Sequence, residues 1–197
     1  MRKLFLTFAV FCAMTMMPSR VHAAFHAWQI NELYSNSTGT VQFIEFTTPA
    51  GGNQFVGGQS ITVHNIGDTI QHTFTIPTDL PGDSTNHKFL IGTSNLVSSG
   101  GPAPDYMFTG PNFLFTAGGS FTFFGANPGT YNALPTNGTL SYNYPSGTTG
   151  INSPTNFSGQ VGSVPEPTTL ILAPLALGSL YLAKRRRNGK QETVADV

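Results

Sequence analysis

Short runs of β-forming residues recur over residues 24–144, and clusters of turn-forming residues separate them. The runs are rich in Phe, Ile, Val, Thr and Tyr, whereas the clusters hold Gly, Pro, Asn, Asp and Ser. Such runs are typical of strands, and no helix-period stripe in this region is longer than a turn or two. We therefore predict an all-β fold, an antiparallel immunoglobulin-like β-sandwich. The predicted strands are WQINELYS, TVQFIEFT, QSITVHN, IQHTFTI, HKFLIGT, DYMFT, SFTFFG and TLSYNY.

One predicted hairpin shows the alternation clearly. IGDT, between Asn65 and Ile70, predicts a hairpin turn. Along the strand that follows, Ile70, His72, Phe74 and Ile76 point to one side, and the three residues between them point to the other. This pattern predicts a half-buried antiparallel strand.

The first 23 residues have the layout of a secretory signal peptide. Arg2 and Lys3 form a positively charged n-region, and LFLTFAVFCAMTMM forms the apolar region that follows. VHA then supplies the small residues of a cleavage site. This layout predicts cleavage between Ala23 and Ala24. An uncleaved membrane anchor fits less well, because the apolar run stops at Pro18, short of the ~20 residues that a span prefers.

Cysteine usage limits the chemistry of the exported part. Cys12 is the only cysteine and lies inside the predicted signal peptide. Phe11 stands where a lipoprotein signal needs a small residue, so no lipid anchor is predicted. The mature chain then has no cysteine, which excludes disulfides, thiolate catalysis and cysteine–metal sites. We expect its core alone to hold the fold.

An apolar segment and a block of cations lie near the end of the chain. Thr168–Ala183 contains 16 residues without a charge, about 24 Å as a helix. This length is short for the ~30 Å hydrocarbon core of a bilayer, and Pro174 interrupts the helix. The cations that follow nevertheless favour one C-terminal transmembrane helix with residues 188–197 as a cytoplasmic tail. This topogenic basic stop consists of Lys184, Arg185, Arg186 and Arg187.

The stretch VPEPTTLILAPLALGSLYLAKRRR, residues 164–187, resembles a PEP-CTERM sorting signal. Such a signal joins a Pro-Glu-Pro motif, a short apolar helix and an arginine-rich end, and the three elements occur here in that order. The resemblance implies recognition by exosortase, a membrane transpeptidase-like protease of Gram-negative bacteria. The tail NGKQETVADV departs from the pattern, because such signals usually stop sooner. The implied sorting motif is Val164, Pro165, Glu166 and Pro167.

The chemistry of this motif agrees with the resemblance. Pro165 and Pro167 keep the segment extended, since proline lacks an N–H and restricts the residue before it. Glu166 adds one charge that suits a basic recognition pocket. We expect a precursor that is anchored in the inner membrane, faces the periplasm, and is processed for the cell surface or extracellular matrix.

A second resemblance covers about 20 residues near the start of the predicted sandwich. The stretch INELYSNSTGTVQFIEFTTP is similar to the opening of lamin-tail-like domains, in which Ile-Asn-Glu leads to Phe-Ile-Glu-Leu. The matching positions are Ile30–Glu32 and Phe43–Phe46, but FVGGQSITV replaces the usual Leu-x-Gly-Trp continuation. The resemblance implies a compact immunoglobulin-like sandwich, a fold that serves many binding roles.

The region between the two targeting segments is acidic. Lys88 is the only Lys or Arg from Ala24 to Ser163, against six Asp and Glu, so the formal charge is one minus six, or −5. Binding of nucleic acid requires clustered Lys and Arg that neutralise phosphates. The sequence therefore excludes nucleic acid as a partner of this region.

The composition changes towards the end of the predicted sandwich. PSGTTGINSPTNFSGQVGS, residues 145–163, is rich in Gly, Ser, Thr, Asn and Pro. We predict a flexible linker, with an end-to-end distance of about 25 Å. Such a linker would hold the domain away from the membrane.

Glu32 and Glu45 are the candidates for a catalytic carboxylate pair. If the first two strands are adjacent, the two side chains are neighbours, and glycosidases use two carboxyls at a set separation. The alternative is that both carboxylates brace strand edges. No flanking motif supports a reaction, so we favour the structural alternative.

Metal sites find little support in the spacing of the histidines. His26, His64, His72 and His87 show neither i, i+4 helical spacing nor a His-x-His pair. His64 and His72 are expected on opposite faces of their hairpin. We predict no metal or other cofactor.

The loop PTDLPGDSTNHK, residues 77–88, is rich in oxygen ligands of the kind that Ca²⁺ prefers. Its candidates are Asp79, Asp83, Asn86 and nearby Thr85, but their spacing is not that of an EF-hand. A turn shaped by Pro and Gly, with side-chain caps, is the favoured interpretation.

Aromatic side chains leave a sugar-binding alternative open. Tyr142 and Tyr144 share one face of a short predicted strand, and exposed aromatic rings stack on sugars. Most aromatics in a Phe-rich, cysteine-free sandwich are core residues instead.

Taken together, the motifs favour an exported surface or matrix protein that is not an enzyme. Its expected partners are an exosortase-like protease, the inner membrane and extracellular polysaccharide. The alternatives are a carbohydrate-binding module and a secreted hydrolase that uses Glu32 and Glu45.

Overall fold

The structure, a computed structural model, describes residues 27–124 and 127–165. These residues form two β-sheets and a 3-10 turn at Ser94–Ser99. The all-β prediction is confirmed. The strands are β1 Gln29–Ser35, β2 Gln42–Thr48, β3 Ser60–Asn65, β4 Gln71–Thr75, β5 His87–Gly92, β6 Tyr106–Met107, β7 Gly119–Phe123, β8 Asn127–Tyr131, β9 Leu140–Asn143 and β10 Thr148–Ile151.

The strands are divided between a six-stranded and a four-stranded sheet. The larger sheet has the order β10-β9-β1-β2-β5-β6, and the smaller one β4-β3-β7-β8. All of these pairings are antiparallel except that between β5 and β6, which is parallel. The predicted antiparallel arrangement therefore holds for all but one edge strand.

A phenylalanine-rich core joins the two sheets. Phe46 of β2 stacks on Phe89 of β5 with ring centroids 4.5 Å apart, and it meets Phe123 of β7 in the other sheet at 4.3 Å. Trp28 packs edge-on against Phe89 at 4.7 Å, and its Nε1 donates a 2.7 Å hydrogen bond to the Asn53 carbonyl. Large buried rings remove much apolar surface from water, so this core supplies cohesion without a disulfide in the described residues.

The β3–β4 hairpin forms where the sequence predicts it. Asn65 Oδ1 accepts 2.9 Å hydrogen bonds from the backbone N–H groups of Thr69 and Ile70. Gly67 and Asp68 have φ values of 92° and 57°, and glycine and aspartate tolerate this left-handed conformation better than most residues. The hairpin turn is therefore fixed by local side-chain chemistry.

Strand β8 is an element that the sequence analysis missed. Its residues, NPGTY, are mostly turn formers, yet they pair with β7 over five positions. Pro128 is tolerated because β8 is an edge strand. At Gly129 a Cβ would lie 2.4 Å from the Phe121 ring and 2.7 Å from the Tyr144 hydroxyl, so any larger residue would displace these rings. Packing between strands has overridden local propensity here.

Residues 145–163 do not form the flexible linker that their composition predicts. Strand β10 pairs with β9 from Thr148 to Ile151. Beyond it, Asn152, Asn156 and Phe157 are buried at 2%, 5% and 7% exposure. The prediction of a linker is wrong, as is the domain boundary at Tyr144, because buried hydrogen-bond acceptors on the sheet hold this polar segment in place.

We call residues 152–165 the C-terminal strap. Together with the 3-10 turn, the strap covers the side of the six-stranded sheet that faces away from the main core. A second buried cluster forms under them. It consists of Tyr34, Val41, Phe43, Leu90, Leu96 and Val164.

Several predicted segments lie outside the described residues. These are the signal peptide with its cleavage position at Ala23 and Ala24, most of the sorting signal, and the tail 188–197. Among residues 27–124 and 127–165 no helix is long and apolar enough to cross a membrane. The predicted transmembrane helix falls outside these ranges and stays a prediction.

The core predicts a stability effect. Replacing Phe46 by Ala should lower the free energy of unfolding by about 3–5 kcal/mol, because it leaves a cavity between the sheets. Ile151→Ala is the control, since Ile151 is 72% exposed and should change stability by less than about 0.5 kcal/mol. Urea unfolding followed by fluorescence of Trp28, the only tryptophan, measures both. Equal effects would contradict a core centred on Phe46.

Candidate functional site

Glu32 and Glu45 lie directly opposite each other on β1 and β2. The ladder register shifts between Ile30 and Glu32, so Asn31 is an extra residue on β1. Because successive residues of a strand alternate between faces, this bulge turns Glu32 away from the main core, onto the face that Glu45 shares. Both residues are buried, at 2% and 0% exposure. The predicted adjacency of the two carboxylates is confirmed.

Glu32 accepts hydrogen bonds from Ser153, the first strap residue whose N–H group points to the sheet. Its Oε1 accepts a 3.0 Å hydrogen bond from the Ser153 N–H, and its Oε2 a 3.3 Å bond from the Ser153 hydroxyl. Burial raises the pKa of Glu32 above its usual value. Hydrogen bonds from Ser141 and Ser153 act in the opposite direction, and the nearby Glu45 charge adds to the rise.

Glu45 binds the strap two residues further on. Its Oε2 accepts a 2.7 Å hydrogen bond from the Thr155 N–H. Its Oε1 accepts a 2.6 Å bond from the Asn31 amide and forms an ion pair with Lys88 Nζ at 2.8 Å. Lys88 is the only Lys or Arg between Ala24 and Ser163. The one cation of this region therefore neutralises a buried carboxylate.

Asp105 holds the strap two residues further still. Its Oδ2 accepts hydrogen bonds from the Phe157 N–H at 2.9 Å and from the Leu90 N–H at 2.8 Å. Burial raises the pKa of Asp105, against the lowering effect of these bonds. Asp105 thus ties the strap to β5.

The three carboxylates form one row under the strap. Alternate residues of an extended chain point their N–H groups to the same side, so Ser153, Thr155 and Phe157 all donate towards the sheet. We call Glu32, Glu45 and Asp105 the carboxylate row. Its oxygens accept backbone donors and are covered by the strap, whereas a glycosidase needs two carboxyls in an open cleft. The geometry gives the row a structural role and removes the support for a hydrolase built on Glu32 and Glu45.

A side-chain clamp closes the end of the strap. Asn152 Oδ1 accepts a 2.7 Å hydrogen bond from the Val164 N–H, and Asn152 Nδ2 donates a 3.0 Å bond to the Val164 carbonyl. Val164 is 2% exposed, and its side chain belongs to the second buried cluster. Val164 and Pro165 are the two residues of the predicted sorting motif that the structure describes. Glu166, Pro167 and the basic stop lie outside the described residues.

The histidines of the β3–β4 hairpin have separate partners. His64 forms an ion pair with Asp68 of the hairpin turn, on the face opposite to His72. His72 Nδ1 lies 2.9 Å from the Phe113 carbonyl, and its ring stacks on Phe115. In the ranges 27–124 and 127–165 no group of three His, Cys, Asp or Glu side chains could hold a metal ion. His26 lies outside these ranges.

The oxygen-rich loop uses its carboxylates as backbone caps. Asp79 Oδ1 accepts a 2.8 Å hydrogen bond from the Gly57 N–H. Asp83 accepts bonds from the Gly52 N–H at 3.0 Å and from the Thr85 hydroxyl at 2.5 Å, and these bonds lower its pKa. This arrangement agrees with the favoured interpretation of a capped turn.

Tyr142 and Tyr144 do share a face, but it is the inner face of the sheet. Tyr142 is buried at 5% exposure within the main core. Tyr144 is half-buried and packs edge-on against Phe121, with ring centroids 5.1 Å apart. The two rings form no exposed stacking platform, so the sugar-stacking prediction for this pair is wrong. Packing between the sheets uses the apolar faces of both rings.

Two shallow grooves lie on the surface of the described residues. One, of about 350 Å³, contains His72 and Phe113, and the other, of about 400 Å³, contains Asp68 and Tyr131. Neither groove contains a member of the carboxylate row.

Sequence reasoning found two members of the carboxylate row and missed the rest of the site. Asp105, Asn152 and the strap residues were missed because their composition is that of a loop. NSPTN consists of polar residues and a proline, so no local pattern marks this segment as ordered.

Comparisons with known proteins identify no relative of this chain. No protein-family model, no curated protein and no solved structure matches it.

The carboxylate row predicts an asymmetry between two substitutions of Glu32. Glu32→Leu should lower the free energy of unfolding by about 1–3 kcal/mol, because the part-buried Ser153 N–H loses its acceptor. Glu32→Gln keeps the shape and a carbonyl oxygen and should lose less. Urea unfolding at neutral pH measures both variants, and an equal loss would contradict the role of Ser153.

The same residue predicts a pH dependence. The pKa of Glu32 is raised in the folded chain from its usual 4.5, so the folded chain binds this proton first as the pH falls. Its contribution to the free energy of unfolding therefore rises as the pH falls through the raised pKa, and it levels off below about 4.5. The stability of the wild type relative to Glu32→Gln should be greater near pH 4.5 than at pH 7. Urea unfolding at both pH values tests the sign, and the opposite sign would refute it.

Proposed function

We propose that this chain is an exported surface or extracellular-matrix protein of a Gram-negative bacterium, without catalytic activity, and a substrate of an exosortase-like membrane protease. The precursor is anchored in the inner membrane by its C-terminal segment and faces the periplasm. Processing at the sorting motif then delivers the folded domain to the cell surface or matrix. Its role there is structural, or the binding of another matrix component.

One observation carries this proposal: the folded domain reaches the sorting motif without a spacer. Val164, the first motif residue, is the last buried residue of the described chain, and Pro165 follows it half-buried. The signal peptide ends at the predicted Ala23–Ala24 position, shortly before β1 begins at Gln29. A self-contained domain between two targeting segments is the arrangement that a displayed protein needs.

The electrostatics support a role without catalysis. Buried carboxylates are candidates for catalysis when they face a cleft, but those of the carboxylate row bind backbone donors under the strap. Asp79 and Asp83 cap turns. The titratable groups described here are thus engaged in holding the fold.

For the finer fold we propose an immunoglobulin-like sandwich related to lamin-tail-like domains. The support is the pairing of β1 and β2, which sets the glutamate of Ile-Asn-Glu opposite that of Phe-Ile-Glu. The bulge at Asn31 makes this pairing compatible with a buried Leu33 and Ile44 on the other face. The Ile-Asn-Glu and Phe-Ile-Glu motifs would then both serve to place a glutamate under the strap.

A second candidate function is binding of a neutral polysaccharide. Hydroxyl groups line the outer face of the four-stranded sheet, including the 2.9 Å pair Thr62–Thr73 and the 2.8 Å pair Ser60–Thr75. The strap does not cover this face, and a flat array of hydroxyls suits a ligand that is itself rich in hydroxyls. The ligand class follows from the absence of cations in the array.

The sorting function predicts the fate of a motif variant. Replacing Pro165, Glu166 and Pro167 by alanine should leave the uncut precursor in the inner membrane, because the extended recognition segment is lost. The control replaces the adjacent Thr168 and Thr169 by alanine and should be processed normally. Membrane fractionation and intact-mass analysis, in a host that carries an exosortase, compare them. A wild-type surface protein that still ends at Val197 would refute the proposal.

The polysaccharide function predicts a separate effect. Thr62→Val combined with Thr73→Val removes two hydroxyls and keeps the side-chain shape, so it should weaken retention on matrix polysaccharide at least tenfold. The control, Thr136→Val with Thr139→Val, changes two exposed threonines outside the sheet. Affinity electrophoresis in gels that contain the polysaccharide measures both. Equal retention of the two variants would exclude this face.

A further inference from the structure

The residue at which the folded domain ends is also the residue at which the sorting motif begins. Val164 is 2% exposed, and its side chain packs in a cluster with Tyr34, Phe43, Leu90 and others. A motif that followed a flexible linker would be free along its whole length. Here its first residue is part of a core.

The backbone of Val164 is engaged as well as its side chain. Asn152 binds both the N–H and the carbonyl of Val164, at 2.7 and 3.0 Å. Gly162, two residues earlier, packs so closely that a Cβ there would lie 2.8 Å from the Gly100 carbonyl oxygen. The Gly162 N–H also donates a 3.1 Å hydrogen bond to the Pro154 carbonyl.

These contacts limit what a protease can reach. A protease cleft binds its substrate as an extended strand through backbone N–H and C=O groups. In the closed strap these groups are taken at Ser153, Thr155 and Phe157 by the carboxylate row, and at Val164 by Asn152. No such segment can enter a cleft until it leaves the sheet.

We infer that the cut which separates this protein from its membrane segment lies on the C-terminal side of Val164, and that the released protein keeps the whole strap. The inference rests on the proposed function, since it locates the processing event within that proposal. A cut upstream of Val164 would remove a buried residue from the second cluster and break both hydrogen bonds between Asn152 and Val164. The closed strap thereby directs the protease to Pro165 and the residues beyond it.

Asn152 is the residue whose change separates this inference from its alternatives. Asn152→Ala removes both hydrogen bonds to Val164 and should release the end of the strap. The matched control is Asn95→Ala, because Asn95 is exposed and its amide makes only a 3.5 Å contact with the Thr40 carbonyl. Both variants are compared with the wild-type full-length chain.

The first measurement is limited proteolysis of the purified full-length chain with a broad-specificity protease. Peptides cut within residues 153–164 should form at least ten times faster from Asn152→Ala than from the wild type, whereas Asn95→Ala should stay within twofold of the wild type. Cleavage of the open segment follows the population of the open form, so this ratio reports strap release. Fast cutting of the wild type within 153–164 would overturn the inference. This test needs only the wild type, so it holds even if Asn152→Ala fails to fold.

The second measurement is the intact mass of the protein released by a host that carries an exosortase. The wild type should end at Val164 or later, and Asn152→Ala should add products that end within 153–163. A wild-type product that ends before Val164 overturns the inference and leaves the proposed function standing. A product that still ends at Val197 overturns both, and the two failures are therefore distinct.

Discussion

The burial of two opposed carboxylates on one face of a sheet is the constraint on which the rest of the structure depends. A desolvated carboxylate is costly unless donors satisfy it, and Glu32 and Glu45 lie under cover with 2% and 0% exposure. The strap supplies the donors through the N–H groups of Ser153 and Thr155. The strap in turn has few apolar side chains and stays on the sheet because of those acceptors. Carboxylates and strap therefore require each other.

This mutual dependence explains how an acidic domain with one cation holds together. Lys88 lies beside Glu45, so one charge of the row is balanced by an ion pair and the others by backbone dipoles. Burial raises the pKa of Glu32 and Asp105, against the lowering effect of the hydrogen bonds that each carboxylate accepts. The phenylalanine core between the sheets supplies the cohesion that offsets the cost. The strap therefore covers the outer face of the six-stranded sheet, whereas the outer face of the four-stranded sheet is not covered by it.

Much of the fold could be predicted from local pattern. All eight predicted strands are present, because β-branched and aromatic residues alternate there as a half-buried sheet requires. The turn at Asn65 was predictable from its side-chain chemistry. Strand β8 and strand β10 were not, since NPGTY and TTGI carry turn-forming or weakly apolar residues whose pairing depends on neighbours distant in the chain. For the site, the adjacency of Glu32 and Glu45 was predictable, but the partners at Asp105 and Asn152 were not.

The sequence by itself determined the all-β class, the acidic character of residues 24–163, and the absence of cysteine from them. These properties depend on residue type and short-range alternation. Only the tertiary structure decided that residues 152–165 are a strap and not a linker. The reason is physical: a polar segment carries no apolar signal of its own, and its order comes from acceptors that lie up to 121 positions away in sequence. Hydrogen bonds to distant buried carboxylates produce no recognisable pattern in the sequence of the strap itself.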